Sequence, residues 1–128
     1  MMTRNDFPVR GALVGLVLTA GFPSFVLAEN GLEGRYTVTG IENDGVNSYQ
    51  DQAVLTISPE GECELDYGAA PDVLEGICLI EGDFIAASSV MGGHWLGLFR
   101  RQTDGSLSGV WRIEGEPGQG TEKLVPQP

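Results

Sequence analysis

His94 is the single histidine of this 128-residue chain and therefore the first candidate for acid–base chemistry. A histidine that acts as a general base needs a nucleophile beside it and a carboxylate to orient it. Ser88 and Ser89 are close in sequence and Asp83 lies in the same predicted hairpin, but their spacing marks no triad and no G-x-S-x-G pattern occurs. We predict no catalytic residue, and we interpret His94 as a solvated side chain at the edge of a loop.

The segment Glu42–Asp51 is the longest predicted connection and carries several oxygen atoms of the kind that calcium binds. Its order departs from the D-x-[DN]-x-[DN]-G calcium loop, and the closing Glu is missing. We expect a mobile, solvated loop, with calcium binding as the alternative, and we predict no metal site. Because recognition is often carried by loops on a rigid scaffold, this segment is also the first place to look for a partner contact.

Three arginines are brought together by one predicted hairpin: Arg100, Arg101 and Arg112. Such a cluster could clamp a carboxylate or a phosphate. The interpretation that we prefer is structural, with ion pairs to acids nearby in sequence, namely Asp104, Glu114 or Glu116. In the register proposed below, Arg100 and Arg112 face outward together.

The first 28 residues have the organisation of a secretory signal peptide. A start that carries Arg4 and Arg10 precedes an apolar run of 17 residues, 11–27, and Ala28 ends a small-residue cleavage site. We predict cleavage after Ala28, with an uncleaved anchor as the alternative. The mature chain, 29–128, is then expected in a periplasm or outside the cell, as a single domain without stable membrane insertion.

Charge excludes several classes of partner. The chain has 7 basic and 18 acidic residues, and removing Arg4, Arg10 and Asp6 with the signal leaves 5 and 17, a formal net charge of −12. Nucleic acids and anionic lipids need a basic footprint, so neither is expected as a partner. With one His and two Cys, the chain also lacks the ligands of an ordinary zinc site, and we predict no cofactor.

Cys63 and Cys78 are predicted to form a disulfide, because thiols pair in the oxidising compartments that exported proteins reach. Turn residues lie between two segments of alternating polarity, so a hairpin centred near Ala70 would place Cys63 opposite Cys78 and Tyr67 opposite Leu74. Leu65 and Gly76 would face each other in the same register. A reactive thiol is the alternative, although no basic residue nearby would stabilise a thiolate.

Short alternating runs separated by Gly, Pro, Asp or Asn dominate the mature chain, and no long stretch shows a helical period. This pattern predicts an all-β fold, and the tight connections favour a small antiparallel up-and-down barrel of about eight strands, of the calycin-like kind. The eight segments are predicted at Gly34–Thr39, Ala53–Ser58, Glu62–Tyr67, Val73–Ile80, Asp83–Ser88, His94–Arg101, Ser106–Ile113 and Thr121–Val125.

Four glycines recur at the same place in a strand motif, apolar-x-Gly-x-apolar: Gly34, Gly76, Gly97 and Gly109. Glycine weakens a strand, and we attribute the repeat to the bending of a small closed sheet. A three-residue turn at Thr103–Gly105 would place Gly97 opposite Trp111 and Gly109 opposite Phe99. Each glycine would then be covered by an aromatic ring of the neighbouring strand.

The interior of such a barrel is wide enough to be filled by side chains or to hold one small ligand. Apolar and aromatic residues sufficient to fill it are present, so a packed core is the preferred expectation and an aromatic cup the alternative. If a ligand binds, the candidate residues are Tyr49, His94, Trp95 and Trp111.

Several elements carry a resemblance: Leu32-x-Gly34-x-Tyr36-x-Val38-x-Gly40, Gly76-Ile77-Cys78, Leu107-x-Gly109-x-Trp111 and Gly120-Thr121-Glu122-x-Leu124. Across nearly the whole mature region the chain resembles small exported bacterial proteins without an assigned function. The L-x-G-x-W and L-x-G-x-Y elements are also similar to strands of avidin-type and lipocalin-type barrels. That similarity implies a fold and carries over no binding residue.

The sequence thus predicts an exported, non-enzymatic binding module. The alternative is a protein inhibitor or envelope interaction protein that engages a larger partner through its acidic loops. An enzyme is the least favoured of the three classes.

Overall fold

The computed structural model describes residues 31–90 and 93–128, and the predicted signal peptide lies outside them. These residues form an all-β structure of eight strands: β1 (Gly34–Ile41), β2 (Ser48–Ile57), β3 (Cys63–Tyr67), β4 (Ile77–Glu81), β5 (Phe84–Ser89), β6 (Trp95–Arg101), β7 (Leu107–Ile113) and β8 (Gly120–Pro126). No helix able to span a membrane occurs among them.

The strands form a closed up-and-down barrel, as predicted. Each strand pairs antiparallel with the next one along the chain, and β8 pairs with β1 to close the sheet. In β1, Tyr36 and Val38 are buried in the lumen, whereas Thr37 and Thr39 face solvent. Because successive side chains of a strand point to opposite faces, this alternation fills the inside and leaves a polar outside.

The hairpin of β3 and β4 has the predicted register. Cys63 pairs with Cys78 across the strands and is joined to it by a disulfide. Further along, the Leu65 amide donates to the carbonyl of Gly76, and Tyr67 pairs with Leu74 in an isolated bridge. The disulfide therefore ties the two strands together where β4 begins.

The register of β6 and β7 is also the predicted one. Gly97 lies opposite Trp111, Phe99 lies opposite Gly109, and Gly105 ends the turn with a φ of 90°. Phe99 covers Gly109, as expected for an aromatic ring on the neighbouring strand.

The predicted cover of Gly97 by Trp111 is wrong. The atoms nearest to Gly97 belong to Trp95 and Phe99 of its own strand, whereas Trp111 lies against Gly120 of β8. Residues two apart share a face, so the rings of Trp95 and Phe99 converge over the glycine between them. Trp111 has a glycine on its other neighbouring strand as well, and its ring occupies the space that Gly120 leaves.

The expectation of a loop over Glu42–Asp51 is also wrong in part. β2 begins at Ser48, so Tyr49 and Asp51 are strand residues and the connection is 42–47. It is short because Asp44 accepts bonds from the backbone amides of Val46 (2.8 Å) and Asn47 (2.9 Å), which fold the loop on itself. The polar composition of 48–51 concealed a strand whose pairing with β1 is continuous up to Ile41.

The two ends of the barrel differ. The closed end, where the connections 58–62, 82–83 and 102–106 lie, is filled by a packed core in which Leu55, Leu107 and Leu124 are fully buried. Leu32 joins this core, and its carbonyl accepts a 2.6 Å bond from the Tyr36 hydroxyl. The open end carries the connections 42–47, 68–76 and 114–119, and β5 ends and β6 begins there.

Candidate ligand-binding cup

A cavity of about 190 Å³ lies at the open end, and we call it the cup. It is lined by nine residues: Glu42, Tyr49, Asp51, Tyr67, Leu74, Trp95, Trp111, Ile113 and Glu122. Larger depressions of about 340, 490 and 560 Å³ are lined mostly by exposed residues of the strands and rim. The depression of about 490 Å³ also touches Tyr49 and Glu122, but none of the three brings the two tryptophans together. Most of the lumen is thus filled by side chains, which is the arrangement preferred from the sequence. An aromatic cup, the alternative, is present only at the open end.

Glu122 is the central polar group of the cup. It points inward from β8 with 7 % of its surface exposed, and its two carboxylate oxygens accept hydrogen bonds from Tyr49 and Tyr67, each at 2.5 Å. Both neighbouring strands present a glycine beside it, Gly40 on β1 and Gly109 on β7. The Tyr49 ring lies over Gly40, and the Phe99 ring lies over Gly109.

Burial sets the electrostatics of this group. Desolvation raises the pKa of Glu122, the charge of Asp51 raises it further, and the hydrogen bonds from Tyr49 and Tyr67 oppose the shift. The pKa values of both tyrosines are raised, chiefly by burial and then by the bonds and charge of Glu122. The tyrosines therefore keep their protons and act as donors to the carboxylate.

The walls of the cup are two aromatic pairs with their ring planes close to perpendicular. Tyr49 and Trp111 have centroids 6.3 Å apart at 71°, and Tyr67 and Trp95 have centroids 5.4 Å apart at 67°. Edge-to-face pairs of this kind are a favoured packing of aromatic rings. Because each pair contains one tyrosine bound to Glu122, the carboxylate connects the two walls.

The indole nitrogen of Trp111 is a second unusual polar atom. Trp111 is 5 % exposed, and its Nε1–H makes no hydrogen bond of ordinary geometry within residues 31–90 and 93–128. The edge of the indole that carries this nitrogen lies against Gly120, and the nitrogen is close enough to the Tyr49 hydroxyl to lower the pKa of that group. The cup thus offers a carboxylate acceptor and aromatic surface.

Of the four candidate ligand-binding residues from the sequence, three line the cup: Tyr49, Trp95 and Trp111. The fourth, His94, lies at the rim with 64 % of its side chain exposed and pairs with Glu114, whose carboxylate oxygen is 2.6 Å from Nδ1. The structure therefore places His94 among solvated residues, away from the aromatic walls.

The serines near His94 do not assemble a catalytic triad. The Ser88 hydroxyl donates to the carbonyl of Trp95 at 3.0 Å, and the Ser89 hydroxyl donates to the carbonyl of Glu75 at 2.7 Å. Asp83 lies at the opposite end of β5, where its carbonyl accepts from the amide of Arg101. His94 thus has the Glu114 carboxylate beside it, but the Ser88 and Ser89 hydroxyls donate to backbone carbonyls instead of to its ring.

The other two candidate sites from the sequence are occupied by local contacts. Asp44, the natural centre of a calcium loop, binds its own loop, and residues 31–90 and 93–128 contain no group of three or more potential metal ligands. Arg100 and Arg112 are exposed on the same outer face, as predicted. Each of the three expected acids has another contact, Glu114 with His94, Asp104 with Ser106 and Glu116 with Asn43. Arg100 lies over the Phe84 ring.

Sequence reasoning missed Glu122, Tyr67 and Asp51 as cup residues. Glu122 does carry a signal, because Gly120, Glu122 and Leu124 occupy alternate positions and must share one face of a strand. Leu124 is an evident core residue, so the same alternation places a carboxylate inside the barrel. Tyr67 shares the inner face with Cys63 and Leu65 by the same rule.

No protein-family model, curated protein or solved structure matches this chain. The resemblance to small exported proteins and to avidin-type or lipocalin-type strands stays a prediction, and the site is interpreted from its own geometry.

Proposed function

We propose that this protein is an exported, non-enzymatic binding module that takes one small ligand into the cup. The observation that carries the proposal is the buried carboxylate at the centre of an aromatic cavity, where Glu122 accepts hydrogen bonds from Tyr49 and Tyr67. A cavity lined by aromatic rings with a few convergent polar groups is the usual form of a small-molecule site.

Export is supported by the N-terminal signal pattern and is consistent with the disulfide, since disulfides persist in oxidising compartments. The mature form is expected to begin at Glu29, in a periplasm or outside the cell. Mass spectrometry of the exported protein tests this, and an N-terminus at Met1 would contradict it.

Intrinsic fluorescence tests the binding proposal, because the chain has two tryptophans and both line the cup. A library of small neutral, anionic and cationic compounds is titrated into the folded protein. At least one compound is expected to change the tryptophan emission saturably. Its binding should be weaker in the Tyr67→Phe variant. Tyr36→Phe is the matched control, since it removes a buried tyrosine hydroxyl at the closed end. If no compound binds, or if both variants behave alike, the proposal fails.

A second candidate function, contact with a larger partner in the envelope, is favoured by the outer surface of the barrel. Ile77, Leu79, Leu96 and Leu98 on β4 and β6 are 50 to 69 % exposed, and large exposed apolar patches often mark protein contacts. If a partner binds this surface, an envelope protein that co-purifies with the wild type should no longer co-purify with the double variant Leu79→Glu with Leu98→Glu. Ligand binding in the cup should be unchanged. Retention of that protein by the double variant would rule this surface out.

A further inference from the structure

The cup is lined by carboxylates and lacks a cation. Glu42, Asp51 and Glu122 all contribute to its surface, and no Lys, Arg or His of residues 31–90 and 93–128 lines it. Lys123, adjacent to Glu122 in sequence, is exposed because alternate residues of β8 face outward. His94 is engaged with Glu114 at the rim.

Two hydroxyl donors solvate the Glu122 charge but do not neutralise it. Tyr49 and Tyr67 satisfy one bond on each oxygen, and each carboxylate oxygen can accept another. Buried charges in proteins are usually paired with an opposite charge or a metal, because an uncompensated charge in an apolar setting is costly. The described part of the chain supplies neither.

Aromatic rings arranged around a carboxylate match the chemistry of one ligand class. The negative face of an indole or phenol ring attracts a cation, and aromatic cages of this composition bind ammonium groups. Two ring pairs with their planes at 71° and 67° can surround a compact, rounded group on several sides. Asp51 and Glu42 add negative charge near the mouth, which raises the local concentration of cations.

We propose that the ligand of the cup is a small organic ammonium ion, an amine or quaternary amine. The proposal rests on the proposed function and names the substrate class of the same site. The ammonium group lies between the aromatic rings and beside Glu122, the buried carboxylate of the cup.

Size limits the ligand further. The cavity of about 190 Å³ corresponds to about six water molecules at their share of liquid volume. It is smaller than the roughly 300–1,000 Å³ of sites for drug-sized molecules. A short cation fits this volume, whereas a peptide or a sugar chain does not.

Choline and its neutral carbon isostere, 3,3-dimethylbutan-1-ol, separate charge from shape. Each is titrated into the full exported protein while tryptophan emission is recorded, with sodium chloride holding the ionic strength constant. Choline is expected to change the emission saturably, and the isostere is expected to bind at least about tenfold more weakly, because it lacks the cation–π and charge attraction.

Glu122→Gln is the decisive variant, because glutamine keeps the shape and can bond to both tyrosines without the charge. It should weaken choline binding about tenfold or more and weaken the binding of the neutral isostere by a clearly smaller factor. Glu114→Gln is the matched control, since it removes a rim carboxylate outside the cup and should change neither. Urea unfolding of both variants checks that each is folded.

Two results overturn the ammonium proposal: the isostere binding as tightly as choline, or the absence of a saturable response to both choline and tetramethylammonium. In either case the proposed function is judged separately by the compound library. A neutral or anionic compound whose binding Tyr67→Phe weakens would preserve the binding module and reject the ammonium ligand.

Discussion

The two ends of the barrel solve the problem of a buried tyrosine hydroxyl in different ways. At the closed end, Tyr36 donates to a backbone carbonyl, that of Leu32, within a core of aliphatic side chains and Phe99. At the open end, Tyr49 and Tyr67 donate to a carboxylate that the fold has brought in from β8. The first arrangement adds stability without burying a charge, whereas the second buries a carboxyl in a cavity that no Lys, Arg or His of residues 31–90 and 93–128 lines. This difference supports the proposal that the open end binds a ligand while the closed end stabilises the fold.

Replacing an aromatic residue by alanine at each end of the barrel should give the largest difference in the free energy of unfolding. Phe99→Ala at the packed end should lower the free energy of unfolding by about 3–5 kcal/mol, because it creates a cavity in a close-packed core. Trp95→Ala, at a half-buried wall of the cup, should cost less although the side chain is larger. Urea unfolding measures both, and equal losses would break the distinction between the two ends.

The disulfide should contribute nearly as much to the free energy of unfolding as the Phe99 side chain. Cys63 and Cys78 are 15 residues apart in sequence, and on the chain-entropy model a loop of that length is worth about 3 kcal/mol. The double variant Cys63→Ala with Cys78→Ala is expected to lose about that much in urea unfolding. A loss below about 1 kcal/mol would show that neighbouring strand pairs already restrain this hairpin. Tyr36→Phe measured in the same background should show the same effect as in the wild type.

Matched removal of one hydroxyl at each end compares the two hydrogen bonds directly. Tyr67→Phe removes a bond to a charged group and should cost about 1.5–3 kcal/mol, whereas Tyr36→Phe removes a bond to a backbone carbonyl and should cost about 1 kcal/mol. Both are measured by urea unfolding at several pH values, because the bond to Glu122 is charge-assisted only while that carboxyl is ionised. If Tyr36→Phe lowers the free energy of unfolding more than Tyr67→Phe does, the bond from Tyr67 is not strengthened by a charge on Glu122.

Dependence on pH gives the smallest effect. Burial raises the pKa of Glu122 above its ordinary value of 4.5, so the folded chain holds this proton more tightly than the unfolded chain. We compare the free energy of unfolding of the wild type with that of Glu122→Gln. The advantage of the wild type is therefore fully present below about pH 4.5 and decreases as pH rises through the raised pKa of Glu122. The groups facing it, Tyr49, Tyr67 and Asp51, are unchanged in the variant.

Urea unfolding of the wild type and of Glu122→Gln across this range measures that difference. Hydrogen bonds from neighbouring residues lower the pKa values of Asp44 and Asp104, so both residues stabilise the folded chain less as pH falls. Because this loss is the same in both proteins, it does not affect the difference between them. A difference that grows in favour of the wild type as pH rises would contradict a raised pKa for Glu122.

Much of the closed end could be predicted from the sequence. Alternation of apolar residues identified the strands that carry Val38, Leu55 and Phe99, and turn residues fixed the register of the hairpin that joins Cys63 to Cys78. Local signals suffice there because each strand pairs with the next one along the chain. The β6–β7 register followed from the position of Gly105 in its turn.

The cup was harder to predict because its parts come together only when β8 closes on β1. Glu122 is 55 residues from Tyr67 and 73 from Tyr49, and no local pattern joins them. Polar composition also concealed the strand that carries Tyr49, and the aromatic ring of Trp111 turned toward Gly120 rather than Gly97. Prediction of this site therefore needs the closure of the barrel and the side-chain contacts that follow from it.

The pKa of the Glu122 carboxyl, measured by carbon-detected NMR titration of the exported protein with and without saturating tetramethylammonium, tests the central claim most directly. The account predicts a value above 4.5 in the free protein, because burial raises the pKa of this carboxyl, and a clear decrease when the ammonium ion binds beside it. A value at or below 4.5 that does not change on addition of the cation would contradict it.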